Sequence, residues 1–71
     1  MKAHLRLTTP DGPLELRARV VRLSTSTSTL FSWHGHLTPY RGLRGRLLLD
    51  DDDTFEVVVR GGYLEVVAAQ P

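Results

Sequence analysis

Apolar and polar residues alternate from the first residues onward, with Leu5 and Leu7 set against Arg6 and Thr8. A period of two places one face of a strand inward, so a first strand is predicted over Ala3 to Thr8. Thr9-Pro10-Asp11-Gly12-Pro13 follows, combining a fixed φ, a side-chain acceptor and a permitted positive φ, and so specifies a turn. Leu14, Leu16, Ala18 and Val20 then alternate with Glu15, Arg17 and Arg19, as a half-buried antiparallel strand does. At Val20-Val21 the phase slips towards Val21 and Leu23, which predicts a β-bulge and a bend or sheet crossing.

Ser24 to Thr29 is a Ser/Thr repeat that reads as an extended loop or polar edge strand. Leu30-Phe31-Ser32-Trp33 resumes the apolar pattern, and Gly35, Pro39 and Gly42 interrupt any regular element through residues 34 to 45. That stretch is the one long irregular segment, and such loops on small domains carry function more often than tight turns do. Arg46 to Leu49, the Asp50 to Asp53 run and Thr54 to Val59 predict a hairpin with an acidic turn. Gly61-Gly62 reverses the chain into a last strand, Tyr63 to Val67, and Ala68 to Pro71 reads as a terminal tail. The expected fold is all-β: one domain over 1–71, a small antiparallel β-sandwich or barrel of five to six strands, without a helix.

Length changes the picture by limiting it, because 71 residues support one core and no second. The absence of cysteine removes disulfides, thiolate metal sites and thiol nucleophiles, and a reducing cytoplasmic location is expected. The N-terminus has no apolar run of the signal-peptide kind, and no segment has the roughly 18 apolar residues of a membrane-spanning helix, so no membrane insertion is expected. The formal net charge of +1 conceals an asymmetry: Lys2 and seven arginines precede residue 50, whereas the Asp50 to Asp53 run, Glu56 and Glu65 follow it. Such polarity steers a polyanion towards the first part unless folding brings the two parts together.

Candidate chemistry is sparse. His34 and His36 have the spacing of two ligands on one strand face, but structural zinc wants four, and no metal or other cofactor is expected. The four consecutive aspartates lack the alternate spacing, glycine and terminal glutamate of a calcium loop. Ser32, His36 and Asp53 supply residue types found in almost any chain, with no nucleophile elbow or phosphate-cradling loop, so no catalytic residues are assigned and a non-enzyme is expected. Arg41, Arg44 and Arg46 beside Trp33 and Tyr40 combine phosphate-neutralising cations with rings on which unpaired bases stack. They form the candidate nucleic-acid patch.

Thr9-Pro10-Asp11-Gly12, Gly35-His36 in the long loop, and Gly61-Gly62-Tyr63-Leu64-Glu65-Val66 occur in this order, and together they resemble landmarks of the N-terminal β-sandwich of the rotary ATP synthase epsilon subunit. The likeness covers roughly residues 5 to 66, with Ser24 to Thr29 replacing the family's acidic glycine-containing segment and His34 its proline. The family's C-terminal helical hairpin has no counterpart within these 71 residues. The resemblance implies a shortened form of a ten-stranded sandwich that docks to a protein partner, with Gly35, His36 and Leu37 facing a rotor ring. Trp33, Gly35, His36, Leu37 and Tyr40 are therefore the expected partner-binding residues.

A sandwich shortened by its last strand leaves an open edge, which predicts self-association as a dimer or larger, or a permanent protein partner. The leading expectation is a protein-interaction module docking through the 33–46 loop and that edge. The alternative is a small barrel binding single-stranded nucleic acid through Arg41, Arg44, Arg46, Trp33 and Tyr40. A phage-type inhibitor or a designed scaffold, whose target leaves no trace in the sequence, is the third.

Overall fold

The computed structural model describes residues 1–69 and consists of six strands and one short 3-10 turn. The strands are β1 (Lys2–Thr9), β2 (Gly12–Ser24), β3 (Thr29–Trp33), β4 (Arg44–Leu49), β5 (Thr54–Val59) and β6 (Tyr63–Ala69), and the 3-10 turn is Thr38–Tyr40. All pairings are antiparallel, in the order β1-β2-β3-β6-β5-β4, and β4 returns to β1 to close a barrel. The all-β expectation therefore stands, in its barrel form. Ala68 and Ala69, expected in a tail, belong to β6, and Gln70 and Pro71 lie outside the described residues.

Alternation decides what fills the barrel. Leu5 and Leu7 from β1, Val20 from β2, Phe31 and Trp33 from β3, Leu47 and Leu49 from β4, Phe55, Val57 and Val59 from β5 and Leu64 from β6 converge on one core. Phe31 and Phe55 meet with ring centroids 5.3 Å apart in a tilted arrangement, a favoured geometry for the aromatic quadrupoles. Leu37 enters from the loop after β3 and is buried, so the irregular segment closes the core instead of standing away from it.

β2 continues without the bulge expected at Val20-Val21. Its residues pair with β1 through Arg19 and with β3 from Val20, so the strand changes partner at that point in unbroken register. The phase slip has another cause: exposed Arg22 follows the inward phase at the barrel end, its guanidinium 5.2 Å from the Phe55 ring centroid and 5.9 Å from that of Phe31. A cation over aromatic faces caps one end of the barrel, while Val21 and Leu23 are left on the outside, each about half exposed. The register shift occurs instead between β5 and β6, at Glu56/Val57.

Closure also corrects the open edge. In β2, residues 12–19 pair only with β1 and residues 20–24 only with β3, and in β6 Val66, Ala68 and Ala69 pair only with β5 among the described residues. The Val20 N–H donates to the Met1 carbonyl, and by strand alternation Pro13, Glu15 and Arg17 turn their backbone groups away from β1. Proline has no N–H to offer there, and charged side chains flank it, so the β2 edge is blunted against further strand addition.

The turns follow from their residues. At the Ser/Thr segment, Thr25 Oγ1 accepts from the N–H groups of Thr27 and Ser28 and donates to the Ser28 carbonyl, making a tight turn between β2 and β3 in place of an extended loop. The acidic turn between β4 and β5 carries Asp52 at φ 71°, and the Asp53 N–H donates to Asp51 Oδ1 at 3.1 Å.

Candidate functional site

The barrel's outer surface holds a groove of about 520 Å³ lined by residues of β1, β2, β4, β5 and β6. Its centre is a row running straight across four strands. Arg6 of β1 lies opposite Glu15 of β2 on one side and opposite Arg46 of β4 on the other, and Arg46 lies opposite Glu56 of β5. All four side chains line the groove, with Arg44, two residues before Arg46, on the same face.

Arg6 and Arg46 are a like-charge pair held face to face. The Asp50 N–H donates to the Lys2 carbonyl, which by alternation makes Arg6 and Arg46 a hydrogen-bonded pair with Cα atoms about 5.5 Å apart. Gly45 permits this approach: a Cβ there would fall 2.4 Å from the Arg6 carbonyl oxygen and 2.9 Å from Leu7 Cδ2. Among the described residues neither arginine has a carboxylate within ion-pair distance. Glu15 instead places Oε1 3.4 Å from His4 Nε2. That nitrogen is buried and the contact lacks hydrogen-bond geometry, so His4 is near the carboxylate without being satisfied by it.

A second groove of about 580 Å³ adjoins the first, sharing His4 and Leu48, and is lined by Lys2, Arg17 and Arg19 together with Asp50 and Asp52. Lys2 and Arg19 are again directly opposed across β1 and β2. Lys2, Arg6, Arg17, Arg19, Arg44 and Arg46 therefore gather on one face, with the acidic turn at its end. The two halves do meet, and the result is a mixed surface, not a uniform cancellation.

No family model, curated protein or solved structure matches this chain. Two of the motifs that resemble the epsilon subunit's are turns here: Thr9 to Gly12 turns β1 into β2, with Thr9 Oγ1 donating to the Gly12 carbonyl at 2.6 Å, and Gly61-Gly62 turns β5 into β6.

The residues singled out from sequence are divided by the fold. Trp33 and Leu37 are core residues, 7% and 1% exposed, and neither presents a free face to a base or a protein. Tyr40 is half-buried against the core. Gly35 and His36 are exposed, and a Cβ at Gly35 would meet Trp33 Nε1 at 3.0 Å, so the loop backbone lies over the indole edge. Arg44 and Arg46 belong to the groove, whereas Arg41 lies at the end of the 3-10 turn outside its lining. The expected Arg/aromatic platform is thus not assembled, because alternation sends the arginines of β4 outward while Trp33 of β3 points inward. Arg6, Glu15 and Glu56 were not anticipated; each alternates outward legibly, but their company depends on the long-range β1–β4 closure.

Among the described residues no helix is long and apolar enough to cross a membrane.

Proposed function

We propose that this chain is a non-catalytic binding module whose ligand is anionic and sits in the groove over β1 and β4. The observation that carries this reading is the opposed Arg6–Arg46 pair, which has no carboxylate partner among the described residues. Like charges directly across an antiparallel pair cost stability, and a bound anion offsets that cost because guanidinium forks match oxyanions bidentately. Arg44 extends the positive potential along the same face. No Phe, Tyr or Trp lines the groove, which favours recognition of the anionic group itself over base stacking.

Calorimetric titration with inorganic phosphate tests the reading. Binding that weakens with added salt and falls at least tenfold in Arg46→Glu is the expected result; equal binding by the variant, or none by the parent chain, contradicts it.

A protein-docking reading has one observation in its favour: Val21, Leu23 and Tyr63 are 50%, 51% and 42% exposed on the outer surface of β2 and β6, remote in register from the arginine row. In that reading the resemblance to the epsilon-subunit domain leaves Gly35 and His36 as the loop residues able to touch a partner.

A further inference from the structure

The row across β2, β1, β4 and β5 is Glu15, Arg6, Arg46, Glu56, two carboxylates enclosing two guanidinium groups on one groove wall. Resting on the anion-binding reading, we infer that the ligand is a compact phosphate ester carrying hydroxyl groups, a sugar phosphate in chemical class, and not an extended polyanion. Neighbouring strands are about 4.8 Å apart, so the row spans roughly 14 Å. An anion centred between the arginines therefore has a carboxylate on each side of it.

That pattern discriminates. A polyanion laid along the row brings further negative charge against Glu15 or Glu56 and is repelled. A phosphate whose attached moiety bears hydroxyl groups places donors where those carboxylates accept. The arginines are free to take the phosphate because Glu15 is turned towards His4, at 3.4 Å, and no carboxylate lies within ion-pair distance of Arg6 or Arg46 among the described residues. The groove volume of about 520 Å³ suits a small molecule, and Leu48, Pro13 and Val67 give its rim apolar contacts.

Titration of the full chain with inorganic phosphate, ribose 5-phosphate and a short single-stranded oligonucleotide tests this, with far-UV circular dichroism confirming that each variant is folded. The expected order is ribose 5-phosphate tighter than inorganic phosphate by tenfold or more. Glu56→Ala removes most of that preference while strengthening the oligonucleotide, and Arg46→Ala weakens all three probes. Ribose 5-phosphate binding no tighter than phosphate, or a preference untouched by both Glu15→Ala and Glu56→Ala, overturns the inference. If the oligonucleotide alone binds, and does so through Arg46, the sugar-phosphate inference fails and the anion-binding reading stands. If no probe binds, both fail.

Discussion

Asp52 is the residue at which local chemistry and backbone are most at odds. Its φ of 71° is the only positive value at a non-glycine residue among the described residues, in a turn where four carboxylates are consecutive. Aspartate tolerates this region better than most residues, but glycine enters it freely. Asp52→Gly is expected to raise stability by about 0.5 kcal/mol, the strain relieved exceeding the extra unfolded-state entropy; a lowered midpoint in urea denaturation would contradict this. At this scale the sequence was informative about turns and misleading about side-chain fate. Proline, glycine and the aspartate run marked the reversals other than that between β2 and β3, which Thr25 makes through its hydroxyl. Trp33 looked available because it stands next to a long loop, and it is buried because position along β3 decides the face.

Among the elements, the β1–β4 pairing matters most, since it closes the barrel and creates the arginine row. These strands are separated by more than thirty residues in sequence, and period-two alternation fixes only which face a residue takes, not which strand lies beside it. That is why the strands and their inward residues were legible, while the groove was not. The bulge expected in β2 illustrates the same limit: two adjacent valines imitate a phase slip, whereas the inward phase is followed by exposed Arg22, whose charge is accommodated over Phe31 and Phe55. Gly45 is the point at which this pairing is most sensitive. A Cβ there meets the Arg6 carbonyl at 2.4 Å, backbone that yields only if the strands part, so Gly45→Ala is expected to cost about 1–3 kcal/mol. Hydrogen exchange should show the loss concentrated in the β1–β4 amides; uniform protection across all strands would argue against it.

The whole molecule depends on one small core. Stability of roughly 0.05–0.15 kcal/mol per residue is usual, which for this chain is of the same order as a single large truncation. Phe31, fully buried and in contact with Phe55, is therefore a critical position: Phe31→Ala is expected to cost about 3–5 kcal/mol and to lower the thermal midpoint of unfolding by well over ten degrees, and a small shift would show that the core is not centred there. Closure of the barrel also moves the argument for recognition from edges to faces. An open edge would have favoured strand addition; the closed barrel instead presents a cationic face on β2, β1 and β4 and exposed apolar residues on β2 and β6. The most direct measurement is amide chemical-shift mapping of the full chain during titration with inorganic phosphate. The account predicts saturable shifts concentrated on Arg6, Gly45, Arg46 and their strand neighbours, with Val21, Leu23 and Tyr63 unmoved. Shifts confined to the loop around Gly35 and His36 or to those apolar residues, or no shifts at all, would contradict it.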